Sequence, residues 1–176
     1  RDPRRIPHRI EHAQVMRPVD VERLSRLPVV ASVQPIHVTD DVPLSDIALG
    51  ERARFCYPFR DMLDAGVHLA FGSDAPVADP NPFWGIHAAV TREKRDGTPD
   101  DGWYGEQRLN VAEAVWGFTM VAALASGQGA DIGSISPGKL ADLVVVDRDI
   151  FGIDPREIHE TQVVMTVFDG RVVYEA

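Results

Sequence analysis

Cysteine is nearly missing from this sequence. Cys56 is the only one in 176 residues, so an intrachain disulfide is excluded and a thiolate metal site is not expected. There is also no apolar run approaching the roughly 20 residues needed to span a bilayer. No charged-then-apolar leader opens the chain, so the cytoplasm is the expected compartment. Positive charge is scarce, with 18 Lys and Arg against 27 Asp and Glu and a formal net charge of −9. Nucleic acid and anionic membrane both need a basic footprint and are not expected partners. Internal repeats and low-complexity stretches are lacking too. Arg1 stands where a methionine would start a chain, and the opening RDPRRIPHRIEH leads directly into a strand-like segment. The chain therefore reads as a piece cut from something longer.

What is present is an ordinary globular mix, 44% hydrophobic and 26% charged, long enough for one sizeable core with a small annex. Pro7 to Glu11 is a short strand candidate with His12 at its end. Pro18 suits the first turn of a helix, where its missing N–H costs nothing. Val21, Leu24 and Leu27 continue that helix at i, i+3, i+6. The next strand is Val29–Val33, followed by Gln34-Pro35-Ile36-His37. A polar loop is expected from Thr39 to Gly50, then a helix from about Arg52 to Ala65. Gly66 is placed to stop it, because glycine adopts φ > 0 cheaply. A third strand, Val67–Phe71, runs into Gly72-Ser73-Asp74-Ala75-Pro76, and another helix opens near Pro82 and carries Trp84, His87 and Val90.

Three strand–loop–helix units in series predict an α/β fold, a parallel sheet with helices packed outside it. Residues 93–109 are polar, punctuated by Gly, Pro and Asp, and read as a long excursion. Asn110 and Glu113 make a capping pair for a helix through Trp116 and Met120. The character changes after Gly127. Leu143–Val146 and Val163–Phe168 are strand-like with no helix of normal length between them, and Asp169-Gly170 before Arg171–Tyr174 is a strong hairpin signal. The expected division is residues 1–127 as the α/β part and 128–176 as a small β element.

His12, His37 and Asp74 follow three consecutive strands, and each residue type can ligate metal or move a proton. In a parallel barrel the chemistry lies at the C-terminal ends of the strands, so neighbouring strands would bring the three together. Each also has a structural alternative. A histidine after a strand is often just hydrogen-bonded, and an aspartate in Gly-Ser-Asp-Ala-Pro can simply cap a turn. The other histidines are weaker candidates. His8 shares a strand face with His12 at about 13 Å, too far for joint ligation. His68 begins its strand, while His87 in a helix and His159 in the tail read as structural. Cys56 reads as packing beside Phe55 and Tyr57. Trp103 and Tyr104 either wall a pocket or anchor the excursion, and anchoring is favoured.

Taken in order, Arg9-Ile10-Glu11-His12-Ala13-Gln14, Gln34-Pro35-Ile36-His37, Leu69-Ala70-Phe71-Gly72-Ser73-Asp74-Ala75-Pro76-Val77 and Gly102-Trp103-Tyr104-Gly105-Glu106-Gln107-Arg108-Leu109 form a combination of motifs. They are joined by Gly133-Ser134-Ile135-Ser136-Pro137-Gly138-Lys139-Leu140-Ala141-Asp142-Leu143-Val144-Val145-Val146-Asp147 and the closing Asp169-Gly170-Arg171-Val172-Val173-Tyr174. Over nearly the whole chain this resembles the amidohydrolase superfamily, in the branch that includes N-substituted formamide deformylase and uncharacterised metal-dependent hydrolases.

The resemblance implies the C-terminal part of a TIM (β/α)8 barrel, about three β/α units, plus a small β-sandwich element. It makes His12 the metal-ligand histidine after the sixth barrel strand. Asp74, after the eighth, becomes metal ligand and catalytic proton shuttle, and His37, after the seventh, contacts substrate. It implies one or two divalent ions, with zinc suiting imidazole and carboxylate donors. A small molecule with an amide or N-substituted formamide C–N bond is the implied substrate. A cyclic-amide hydrolase, a deaminase or a non-catalytic regulatory relative remain alternatives, and a homo-oligomer is left open. The family's His-x-His pair, its bridging lysine or equivalent and its fifth-strand histidine are expected upstream of Arg1. Residues 1–176 alone are therefore expected to bind metal weakly and to lack turnover.

Overall fold

The computed structural model describes residues 6–176. Its first half is organised by three short runs of strand-forming residues: β1 (His8–Glu11), β2 (Val29–Val33) and β3 (His68–Phe71). They form a parallel sheet in the order β1-β2-β3, with His8 opposite Val29 and Val30 opposite His68. Val30, Ala31 and Val33 of the central strand are fully buried, whereas all four residues of β1 are exposed. Helices alternate with these strands, as the sequence predicts, and no closed barrel forms among the described residues.

Helix α1 (Pro18–Ser25) starts on Pro18 and buries Val21 and Leu24. It stops short of Leu27, which is exposed, because Pro28 disfavours the helical conformation of the residue before it. The stretch expected as a loop is instead a helix, α2 (Pro35–Leu49), with Pro35 in its first turn and Pro43 inside it. Tertiary contacts outweigh the poor local propensity. The Asp41 carboxylate accepts from the Tyr57 hydroxyl, and Asp46 accepts from the Trp103 indole N–H at 3.1 Å. The helix expected from Arg52 to Ala65 is broken in two. A 3-10 helix (Gly50–Phe55) is separated from α3 (Phe59–Asp64) by Cys56-Tyr57-Pro58, where Tyr57 has φ +50°. Gly66 does end α3, at φ +86° with its N–H on the Leu63 carbonyl.

Helix α4 (Pro82–Thr91) is capped by the Asn81 side chain, which accepts from the Phe83 N–H at 3.0 Å, and is buried on nearly every side. The excursion at 93–109 folds back on Trp103, which is buried and touches the Tyr57 ring edge-on at 6.3 Å. Anchoring is thus its observed role. Asn110 and Glu113 cap α5 (Val111–Trp116) reciprocally, at 2.8 and 2.9 Å. A π-helical turn (Gly117–Val121) joins α5 to α6 (Ala122–Ala125). Gly117 lets this turn lie against the sheet: a Cβ there would come within 2.6 Å of the Phe71 ring.

In the remaining segment the Lys139 ammonium donates to the Gly129 and Ile132 carbonyls, both at 2.8 Å, tying the loop to the end of the preceding helix. Then β4 (Leu143–Val146), β5 (Val163–Phe168) and β6 (Arg171–Glu175) form an antiparallel sheet in that order. Asp169 and Gly170 both have φ > 0, which a two-residue turn matching the strand twist requires. A 3-10 helix (Pro155–Glu160) packs on α4. There Arg156 grips the buried Glu93 carboxylate with two bonds of 2.8 Å, and Ile150 and Ile158 join the same buried cluster as the first half. Among the described residues no helix is long and apolar enough to cross a membrane.

Candidate functional site

Because β1, β2 and β3 are parallel and adjacent, their C-terminal ends form one rim. His12 follows β1, Gln34 through His37 follow β2, and Gly72 through Asp74 follow β3. The rim continues the pairing of the sheet, since the His12 N–H bonds the Ser32 carbonyl at 2.7 Å and the Gly72 N–H bonds the Val33 carbonyl at 3.2 Å. β1 and β3 flank β2, so their backbones lie two interstrand spacings apart, roughly 9.6 Å.

At the His12 corner the backbone turns sharply, with His12 at φ +67° and Ala13 at +45°. The next residues pair back on the chain before α3. Val15 bridges Cys56, and the Tyr57 N–H bonds the Gln14 carbonyl at 2.6 Å. The Gln14 amide donates to the Tyr57 hydroxyl at 2.7 Å, and that hydroxyl donates to Asp41. Burial first, and the Asp41 carboxylate second, push the Tyr57 phenol well above its ordinary range, so it stays protonated. The His12 ring itself contacts two residues beyond the end of β2. Its Nδ1 lies 2.9 Å from Gln34 Oε1, and its plane stacks on His37 at 6.4 Å between centroids and 17°.

His37 lies in the first turn of α2, not in a loop, and is buried with its Nε2 lacking a hydrogen-bond partner. Asp74 is exposed at φ +60°, and its carbonyl accepts from the Val77 N–H at 2.8 Å. A cleft of about 680 Å³ opens beside the rim, with Ile36, Thr39, Val77, Trp84 and His87 among its walls. The Arg95 guanidinium carbon sits over the Trp84 ring there, 3.6 Å from its centroid.

The chemistry of these donors suits a divalent ion in part. His12 Nδ1 faces an amide oxygen, which leaves Nε2 as the ring nitrogen available to an ion, and Asp74 carries a carboxylate on the loop after β3. Yet among the described residues no group of three or more His, Cys, Asp or Glu is placed to hold a metal ion. His12 and Asp74 suit membership of a ligand set that they do not complete.

Several residues that shape the rim carried no signal beyond their type. Arg92 is completely buried, with bonds to the Trp103 carbonyl at 2.5 Å and the Tyr57 carbonyl at 3.1 Å. Burial lowers its guanidinium to about 10. Tyr57 and Asp41 were likewise invisible, because their pairing joins segments that only the fold brings together. His87 and His159 form an edge-to-face pair at 4.9 Å, and His87 also borders the cleft. Cys56 is buried, and burial raises its thiol.

Comparison with known proteins places the chain in a family. Protein LONG AFTER FAR-RED 3 of Arabidopsis thaliana is 38% identical over 168 residues, covering 94% of this chain and 28% of that protein. N-substituted formamide deformylase of Arthrobacter pascens is 39% identical over 119 residues, covering 68% of this chain and 21% of that enzyme. The crystal structure of an uncharacterized metal-dependent hydrolase from Pyrococcus horikoshii OT3 matches with a TM-score of 0.72 at 30% identity, covering 84% of this chain and 30% of that one. The chain thus spans under a third of the length of each. A model of the amidohydrolase family matches residues 1–174, and the chain belongs to that family.

Proposed function

We propose that this chain forms the C-terminal part of a TIM barrel, residues 1–127, with a β-sandwich segment, residues 128–176, in a metal-dependent hydrolase. In the longer protein the reaction is hydrolysis of a non-peptide C–N bond, an amide or an N-substituted formamide, in a small molecule. The observation that carries this reading is the shared rim. One imidazole, one carboxylate and one buried unpartnered histidine nitrogen stand at three adjacent parallel strand ends.

His12, through Nε2, and Asp74, through its carboxylate, are the residues that would hold the ion, and zinc suits that donor pair. Zinc bound there would supply Lewis acidity and lower the pKa of its water towards about 7. The Asp74 carboxylate takes a proton from the attacking water and returns it to the leaving nitrogen as the C–N bond breaks, so it is base and then acid. His37 Nε2 donates to the substrate carbonyl oxygen, where negative charge develops. The adjacent cleft lies within the size range of small-molecule sites. Two ligands are fewer than the three protein ligands a catalytic zinc site takes, so residues 1–176 by themselves bind metal weakly and turn nothing over.

The test is Asp74→Asn in the intact protein, assayed on N-substituted formamides and simple amides with metal content measured alongside. The expected loss in kcat is at least about 10²-fold. Near-normal turnover by that variant, or tight stoichiometric zinc with hydrolysis by residues 1–176 alone, overturns the assignment.

A further inference from the structure

We infer that Gln34 is the positioning residue that sets the His12 ring in a single tautomer, with the proton on Nδ1 and the lone pair on Nε2. The inference deepens the proposed hydrolase reading and rests on it for its purpose, although its geometry stands independently. Everything that fixes His12 comes from the end of β2 and the residues after it. The Ser32 carbonyl takes the His12 main-chain N–H at 2.7 Å, Gln34 Oε1 faces Nδ1 at 2.9 Å, and the His37 ring lies nearly parallel at 6.4 Å. The backbone is pinned by the first, ring rotation by the third, and the proton by the second.

Gln34 suits that task by its position. It is the residue directly after β2, it is buried, and Pro35 behind it opens α2. Strand and helix therefore both constrain its backbone. An amide oxygen only accepts, so it stabilises a protonated Nδ1 and disfavours a bare one. Nδ1 is bonded to the ring carbon nearest the main chain, and Nε2 is the far vertex. Protonating the near nitrogen leaves the far one bare, and a metal ligand needs that arrangement. Without an acceptor at Nδ1 the ring is free to protonate at Nε2, and half of the ligand pair is then blocked until the proton moves.

The experiment uses the metal-free chain with ¹⁵N-labelled histidine and long-range ¹H–¹⁵N spectra above the imidazole pKa, where protonated and bare ring nitrogens are distinguished. Wild type is expected to show Nδ1–H and bare Nε2 for His12. Gln34→Glu keeps an acceptor in the same place and is expected to keep that signature. Gln34→Leu removes the acceptor, and an Nε2–H signal is expected to appear. Should Gln34→Leu fail to fold, Gln34→Met is read in the same way. An Nε2–H ring in wild type, or an unchanged ring in the Leu and Met variants, overturns the inference.

Zinc chloride is then titrated into the metal-free intact protein, of which this chain is a part. If the tautomer pattern is as expected and, in the intact protein, zinc leaves the His12 Nε2 resonance unmoved, Gln34 keeps its role and the metal assignment falls. A specific shift at Nε2, weakened about 10- to 100-fold in the Leu variant, supports both.

Discussion

His12 and Asp74 share a backbone feature as well as a rim. Both hold a positive φ that side-chain-bearing residues rarely adopt, +67° and +60°, at a cost on the order of 1–3 kcal/mol each. Tyr57, Arg92, Asp101, Tyr104 and Asp169 also hold positive φ, so the strain accompanies the two candidate groups without singling them out. A different residue carries the pH dependence. Burial first, and His159 second, hold the His87 imidazole down at about 4, against an ordinary 6.5. The unfolded chain therefore binds a proton that the native chain refuses between about pH 6.5 and 4. Stability is full above that window and falls through it, by on the order of 3 kcal/mol from this group. Comparing urea unfolding at pH 7.5 and 4.5, His87→Leu is expected to lose less stability on acidification than wild type. An equal loss counts against it. The placement of His12, His37 and Asp74 after three adjacent strands was legible at this scale, because polar residues closely following strands stand out. The Gln14–Tyr57–Asp41 chain and buried Arg92 were not, because their partners are 11 to 43 positions away in sequence.

At the scale of elements, the strands and the hairpin turn were readable from short β-branched runs and from Asp169-Gly170. The reciprocal cap of α5 was readable from Asn110 and Glu113. Asn110→Ala is expected to cost about 1 kcal/mol, seen as a lower urea midpoint with an unchanged slope, and a neutral result would show that the cap contributes nothing. α2 was not readable, since Thr39, Asp40, Asp41, Pro43, Ser45 and Asp46 all favour loops or caps locally. Its stability is tertiary, drawn from the bonds to Tyr57 and Trp103 and from packing on α4. The break at Cys56-Tyr57-Pro58 interrupts the helix expected from Arg52 to Ala65. Pro58 encodes it locally, since a proline disfavours the helical conformation of the residue before it, and the φ of +50° at Tyr57 is held by the bond to Gln14.

Across the whole molecule, apolar surface is distributed unevenly. Val144, Phe168, Val172, Val173 and Tyr174 are each at least half exposed, and together they give the antiparallel sheet a greasy exterior. Exposed apolar side chains of that kind bind hydrophobic probes. The folded chain is expected to enhance the fluorescence of an anilinonaphthalene dye in native buffer. Phe168→Lys with Val173→Lys is expected to reduce that signal without lowering the urea midpoint. Dye binding that is absent in wild type, or unaffected by the pair, refutes the idea.

The pairing of Val30 with His68 and of His8 with Val29 has a kinetic corollary. Each contact closes a span of tens of residues, whereas β5 and β6 meet across two. Because closure entropy grows only as the logarithm of span while unrewarded ordering precedes every distant contact, the hairpin zips on its own clock. The parallel strands must wait for α1, α2 and α3 to collapse between them. The rim that carries His12, His37 and Asp74 is thereby expected to form after the hairpin.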